Sequence, residues 1–341
     1  MRVLQVIDKL DIGGAEKVFI HLANTMNNSF VATEVLLFTA SGKMTGNIDK
    51  NVVVHVLDRK NKLSIRKLYK AHNLCARFDI VHVHMRHCYA YIKLAQLIFA
   101  GEYKILFHDH FGDIDVNRSV PVRLKYFFKP NFYVGVSQTL VDWAREHVKP
   151  SKTYLLANAV SSTQSFAFRQ VDPIRVVMIA NIRRTKNIEF AIELCRHAGW
   201  ELTIYGNRSD SGYWNAIVSM IGENQLVKIV EGVSEFSNLL PGYNFAIHTA
   251  VSETGPLVLM EYMSAGLPFL AYNTGEVARV TAQDLPMHYI DNFDQDAWIE
   301  RVHAIRNNAD VSPRLINVFN KYFGGEQYAR KCLKIYESVN S

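Results

Sequence analysis

Two carboxylates stand eight positions apart in SETGPLVLMEYMSAGLPFLAYNTGE, residues 252–276, in a segment otherwise built almost wholly of small and apolar residues. FAIHTA ahead of it reads as a buried strand and VSETG as the loop at that strand's end. PLVLMEYMSAG reads as a helix with Pro256 in its first turn and Gly266 at its C-terminal stop. Glu253 then stands in the loop just before the helix, and Glu261 lies about one and a half turns inside it. Thr254, Gly255, Pro256, Leu257 and Val258 form the helix entrance, where unpaired backbone N–H groups suit a diphosphate. The acids on either side of that space can accept from hydroxyl groups. Glu253 alone could serve the helix dipole, and Glu261 alone could be a surface residue. Both together, in so apolar a stretch, point to a polyhydroxylated ligand carrying phosphate.

Three cations reinforce this reading. ANIRRTKNIEFAI follows a strand and sets Arg183, Arg184 and Lys186 just before a helix, the edge at which open α/β sheets bind ligands. Arginine can fork onto two phosphate oxygens and lysine adds a point charge. Near the N-terminus, DKLDIGGAEK places Gly13 and Gly14 between a strand and a helix, where the backbone can approach an anion closely. It lacks the GxGxxG spacing and the acid that a dinucleotide ribose needs. His82 and His84 alternate in VHVH and share a strand face, as zinc ligands could. No third ligand follows at a standard spacing, so a structural pair is the expectation. Asp113 and Asp115 in GDIDVN are spaced like a metal clamp, in a loop away from the cations.

These residues need a scaffold that brings strand ends together. Short apolar runs (RVLQVI, ATEVLLFT, VVVHVL, DIVHVH, KILFHDH, FYVGVS, KTYLLA) alternate with helical stretches. After a polar linker at 158–173 the alternation restarts with IRVVMIA, ELTIYG, VKIVEG, FAIHTA and PFLAYN. Strands separated by helices predict parallel sheets covered on both faces. Two Rossmann-like α/β domains in tandem result. Near the end, Tyr328, Cys332, Tyr336 and Val339 recur at helical spacing and predict a helix that packs back onto another surface.

The 341 residues, 49% hydrophobic and 21% charged, leave ample core and no tract that reads as disordered. Four scattered cysteines without a CxxC pair suggest free thiols in a reducing compartment, the cytoplasm. The first apolar run is too short for a signal peptide, and no segment approaches about eighteen apolar residues in succession. Charge is uneven: residues 1–170 carry a net +10 and residues 171–341 a net −4. Only the first half is therefore expected to meet an anionic partner. RKNKLSIRKLYK (59–70) and VRLKYFFKPNFY (122–133) mix basic with apolar residues, as a segment lying on an anionic membrane does. Aromatic-basic RNA motifs and DNA-reading helix signatures are missing, so no nucleic-acid partner is expected.

The stretch ETGPLVLMEYMSAGLP resembles the family-4 retaining glycosyltransferases of the GT-B fold, with their Glu, seven residues, Glu pattern and Gly-x-Pro end. GGAEK at 13–17, DIVHVH at 79–84, VGVS at 134–137, LLANAV and ANIRRTKN at 180–187 are similar to further landmarks, so the resemblance covers nearly the whole chain. It implies two Rossmann-like domains facing a central cleft: an acceptor-binding domain at 1–165, a nucleotide-sugar-binding domain at 166–324, and a helix at 325–341 returning to the first domain. It implies that Glu261 accepts from the ribose hydroxyls and that Glu253 faces the donor sugar near its anomeric carbon. Arg183 or Arg184, with Lys186, would hold the diphosphate, and Gly206 would join the donor site. Gly13 and Gly14 would close on sugar and phosphate, and His108 or His110 in LFHDHFGD would touch the sugar from the opposite wall.

The expected activity is transfer of a sugar from a nucleotide-diphosphate sugar, UDP by family frequency, to an acceptor hydroxyl with retention. The leaving phosphate oxygen would take the acceptor's proton, and no divalent metal or other cofactor is expected. A sugar or lipid-linked oligosaccharide of a surface polysaccharide or glycolipid would be the acceptor, met in the cytoplasm at the inner membrane face. Two other readings use the same residues: a GT-B nucleotide-sugar epimerase, and a non-catalytic nucleotide or polyanion binder.

Overall fold

The computed structural model of the chain describes residues 1–29, 31–59, 64–112, 114, 117–161, 172–223, 225–233 and 236–341. The chain divides into two compact units, Met1–Ser161 with Gly325–Ser341, and Ser162–Gly324.

The first unit is a parallel sheet of seven strands. Its elements run β1 (Arg2–Ile7), α1 (Gly14–Ser29), β2 (Ala32–Leu37), β3 (Val53–Val56), α2 (Ile65–Cys75), β4 (Ile80–His84), α3 (Arg86–Ile98), β5 (Lys104–Asp109), β6 (Phe132–Gly135), α4 (Gln138–Trp143) and β7 (Lys152–Leu155). The sheet order is β3-β2-β1-β4-β5-β6-β7. Strands buried on both faces need no polar alternation, which is why IVHVH and RVLQVI are buried almost throughout. One apolar core includes Phe107, Tyr89 and Tyr133, and another gathers Phe19, Val35 and Met44.

The second unit repeats the plan. Its elements are β8 (Arg175–Ile179), α5 (Ile188–Ala198), β9 (Glu201–Tyr205), α6 (Ser211–Ile221), β10 (Val227–Val230), β11 (Phe245–His248), α7 (Leu257–Ala265), β12 (Phe269–Tyr272), α8 (Gly275–Thr281), β13 (Tyr289–Ile290), α9 (Gln295–Arg306) and α10 (Val311–Phe323). Its six strands are ordered β10-β9-β8-β11-β12-β13, with every pair parallel. In each unit the order turns back beside the first strand, between β1 and β4 and between β8 and β11. Such switch points leave a crevice at the carboxyl ends of the strands. Gly206 follows β9 where a Cβ would lie 1.9 Å from the Ala180 carbonyl oxygen, so the two backbones meet there only because the residue is glycine.

One terminal helix, α11 (Gly325–Asn340), belongs to the first unit. It buries Tyr328, Cys332, Ile335, Tyr336 and Val339 and packs against α1, β4 and β5. Lys104 Nζ donates to the Asn340 carbonyl at 2.7 Å, and the Tyr154 and Ser338 hydroxyls meet at 3.0 Å. All four cysteines are buried and free. Among the described residues no helix is long and apolar enough to cross a membrane. Most of the 158–173 linker, part of the 59–70 stretch, and Asp113 with Asp115 lie outside the described residues.

The deepest tie of α11 is polar. The Tyr336 hydroxyl lies 2.8 Å from His82 Nδ1, with both residues fully buried. Removing one partner from a buried hydrogen bond leaves the other unsatisfied. Tyr336→Phe should therefore lower unfolding free energy by about 1–3 kcal/mol, read as an earlier urea midpoint at unchanged slope. An unshifted midpoint would show that the hydroxyl does not hold the helix.

Candidate active site

The second unit assembles its polar residues at the ends of β8 and β11. After β8 the chain enters a 3-10 turn, Arg184–Lys186, which closes at Asn187 in the left-handed conformation (φ 49°) before α5 begins. The loop after β11 is stitched to this turn. Val251 N–H donates to the Thr185 carbonyl at 2.9 Å, and Thr249 Oγ1 donates to the Lys186 and Asn187 carbonyls, each at 2.9 Å. Loop and turn therefore hold each other in place.

That stitching brings Lys186 Nζ onto Glu253 Oε1 in a largely buried ion pair. His248, the last residue of β11, approaches the same oxygen through Nε2 at 3.2 Å. A carboxylate only accepts, so the hydrogen of this contact is on Nε2. Burial pushes the Glu253 pKa up. The charge of Lys186 and the His248 contact outweigh burial and bring it down to about 2. Glu253 is thus ionised at neutral pH, with little water around it.

Glu261 sits within α7 with 9% of its surface exposed. The helix starts at Leu257, so Pro256 is its cap rather than a first-turn residue, and it supplies no side-chain acceptor. Proline fixes φ near the extended value found at a cap and has no N–H of its own to satisfy. The N–H groups of Leu257 and Val258 therefore have no capping side chain over them. Thr254 is buried, and its carbonyl accepts from Glu276 N–H at 2.9 Å, which ties the start of α8 to the same loop. At the other end Gly266 takes φ 72°, with Gly266 N–H on the Met263 carbonyl and Leu267 N–H on that of Tyr262, a Schellman stop.

The two arginines part company. The Arg184 guanidinium lies over the Tyr213 ring at 5.6 Å and the residue is exposed, whereas Arg183 is half-buried. Gly206 stands at the end of β9, on the neighbouring strand of the same sheet.

In the first unit, β4 ends in His84, and β5 carries His108 just before its last residue, Asp109. His84 and His108 face each other in register, and His82 lies one residue pair away on the same face. His82 Nε2 is 3.2 Å from His108 Nδ1, and His84 Nδ1 is 2.9 Å from His110 Nε2. His108 is fully buried, while His110 remains half-buried. Burial holds all four imidazoles far below the usual histidine pKa, so they are neutral at physiological pH. Gly13 and Gly14 stand at the entrance of α1, where a Cβ on Gly13 would meet the Glu16 carboxylate.

Several residues escaped sequence reasoning. His248 is silent in FAIHTA, and only the turn of the following loop brings Glu253 back to it. Asp109 hides between two histidines, yet it accepts both Nε and Nη2 of Arg86, the Tyr133 hydroxyl and the Phe111 N–H at 2.8–3.1 Å. Its bond from the Phe111 N–H ties down the exit of β5.

Residues 12–164 match the family model described as Glycosyltransferase Family 4, and residues 162–318 match Glycosyl transferases group 1. The chain belongs to the GT-B-fold glycosyltransferase superfamily. Among solved structures the chain is similar to Anabaena HepE in complex with UDP and glucose, at 14% identity and TM-score 0.79 over 99% of this chain and 100% of that one. A glycosyltransferase from Rickettsia africae is 15% identical at TM-score 0.79, over 99% and 98% of the two chains. The lipopolysaccharide outer core galactosyltransferase WaaB is 16% identical at TM-score 0.70, over 99% of each. At these identities the likeness is one of fold. No curated protein sequence matches the chain.

Within this GT-B glycosyltransferase the Lys186–Glu253 pair is a structural element. Breaking a buried pair from one side strands a charge, at about 3–5 kcal/mol. Lys186→Met and Glu253→Gln should each approach that loss, and the double variant should lose clearly less than their sum, in a urea-denaturation cycle. The folded pKa of Glu253 lies below the unfolded carboxylate value, so its contribution is present above about pH 4.3. It fades as pH falls toward 2. The stability gap between wild type and Glu253→Gln should accordingly be flat at neutral pH and shrink in acid. A gap that widened in acid would contradict the pairing.

Proposed function

We propose that the protein transfers a sugar from a nucleotide-diphosphate sugar, with UDP as the nucleotide, to an acceptor hydroxyl with retention at the anomeric carbon. The observation that carries this reading is the ionised Glu253, locked between Lys186 and His248 beside the uncapped start of α7. A sugar diphosphate needs cations and N–H donors for its phosphates and fixed acceptors for its hydroxyls, and this strand end offers both. The solved complexes of HepE with UDP and glucose and with UDP-glucose support the choice of ligand class.

In the proposed reaction the bond from the anomeric carbon to the phosphate oxygen breaks. The acceptor oxygen bonds to the same face of that carbon, and its proton passes to the departing phosphate oxygen. Arg183, half-buried, and Lys186 stabilise the diphosphate as its charge grows. Arg184, drawn over Tyr213, plays the lesser part. Glu253 faces the sugar hydroxyls and Glu261 accepts from the ribose. No divalent metal is needed at the diphosphate, because these cations and the start of α7 supply the countercharge.

Glu261→Ala should weaken donor binding with turnover little changed, because ribose contacts are equal in ground and transition states. Glu253→Gln should lower turnover foremost. Arg183→Ala should lose about 2–4 kcal/mol of transition-state stabilisation while binding free uridine as wild type does. Steady-state kinetics and calorimetry with UDP-sugars check all three. Incubation with donor alone separates the classes: an epimerase converts it, a binder leaves it intact, and the transferase gives at most slow hydrolysis.

The acceptor is proposed to be a sugar or lipid-linked oligosaccharide at the inner membrane face. After Pro121 the chain forms a π-helical turn, Arg123–Phe127, that leaves Val122, Tyr126 and Phe127 64–67% exposed beside Arg123, Lys125 and Lys129. Such a basic and aromatic surface suits anionic lipid at about 1 kcal/mol per basic residue. The protein should sediment with anionic vesicles at low salt and not with neutral ones, and Tyr126→Ser with Phe127→Ser should weaken that binding. No sedimentation at low salt would direct the search to a soluble acceptor.

A further inference from the structure

The histidines at the ends of β4 and β5 form more than a strand-end pair. His82, His84 and His108 each place one ring nitrogen within 4.8 Å of those of the other two, and all three residues are fully buried. The third ligand that sequence spacing could not supply comes from the neighbouring strand, through the register of His84 with His108. We propose that this trio holds a divalent metal ion of intermediate softness, zinc in the first instance, as a structural centre of the first unit.

Three observations converge. His82 Nε2 and His108 Nδ1 stand 3.2 Å apart, close to the roughly 3.3 Å edge of a tetrahedron whose metal–nitrogen bonds are about 2.0–2.1 Å. The outward nitrogens of two rings are already held: His82 Nδ1 by the Tyr336 hydroxyl at 2.8 Å and His84 Nδ1 by His110 Nε2 at 2.9 Å. Metal-binding histidines are oriented in this way by a partner on the other nitrogen. Finally, His84 Nε2 is buried without a partner, and so are both amide atoms of Gln5, which pairs in register with His82. Buried polar atoms are rarely left unsatisfied. An all-imidazole set selects zinc, copper, iron or nickel over magnesium and calcium. The ion would be captured on folding and would pin α11, through Tyr336, to the sheet. Its ligands all belong to the first unit, whereas the residues proposed for the diphosphate belong to the second.

The test is metal analysis of the full chain purified without affinity histidines or chelators. About one zinc per chain should survive dialysis. Protein stripped with a strong chelator should regain melting temperature on addition of zinc but not of magnesium. Cobalt substitution should give the intense visible bands of a tetrahedral nitrogen site. His84→Gln should abolish binding, and Tyr336→Phe, which keeps the ring, should weaken it about 10–100-fold. His87→Gln, an exposed histidine outside the cluster, should leave it unchanged. A folded, metal-free protein whose melting temperature ignores added zinc would overturn the proposal. So would zinc retained at wild-type affinity by both the His84 and Tyr336 variants.

Discussion

A parallel sheet covered by helices on both faces opens its ligand crevice at one place, the carboxyl edge of its strands. Along the strands the interior is dry, and an unpaired polar group there costs several kcal/mol. Both units obey this constraint. Asp109 and His110 leave the end of β5, His84 ends β4, His248 ends β11, and the Arg183–Lys186 turn follows β8. The helices that begin just beyond those ends, α5 and α7 above all, add backbone donors at the same edge. The loops vary in length and composition, but the sheet decides where their chemistry can be placed.

Within the second unit the constraint explains why Glu253 needs two partners. A carboxylate with little water would take up a proton unless something nearby favoured its charge. Lys186 supplies the charge and His248 a directed hydrogen bond, and the loop–turn stitching through Thr249 and Val251 keeps both in register with the acid. An electrostatic arrangement fixed before the ligand arrives does not have to reorganise during reaction, which is the main source of strength in such sites. Glu261 is held differently, on a helix whose stop at Gly266 and packing against α10 set its height. One acid is positioned by charge, the other by packing.

The alternation of strands and helices, the tandem of two α/β units and the return of the last helix were all legible in the sequence, because hydrophobic period and turn residues are local signals. The helix bearing Glu261 was legible for the same reason, down to its glycine stop. Pairings across strands were not. Nothing in VHVH or LFHDH announces that His84 and His108 will lie in register, since register is fixed by the whole sheet rather than by either strand. His248 and Glu253 are five residues apart, too close to register as a long-range pair and on no common periodic face. Asp109, between two histidines, carries no periodic signal, although its hydrogen bonds with Arg86, Tyr133 and the Phe111 N–H organise the loop that follows. The target of the final helix was equally invisible, because an amphipathic stripe reports that a face is covered and not by what.

The same scaffold thus carries opposite chemistry in its two units, and the charge balance helps to show why. The first 170 residues have a net +10, yet the strand ends of the first unit hold neutral imidazoles and an Arg86 whose charge is met by Asp109. The excess is displayed instead on exposed residues such as Arg66, Lys70, Arg123, Lys125 and Lys129. A surplus on the surface acts at a distance on large anionic partners and is weakened by salt, whereas charge at a buried strand end acts on one bound group. The second half, at −4 overall, nevertheless gathers Arg183, Arg184 and Lys186 in the turn after β8, where a few residues outweigh the average around them. Net charge in this protein therefore describes its exposed surface, and the local pairing of single residues describes its buried strand ends.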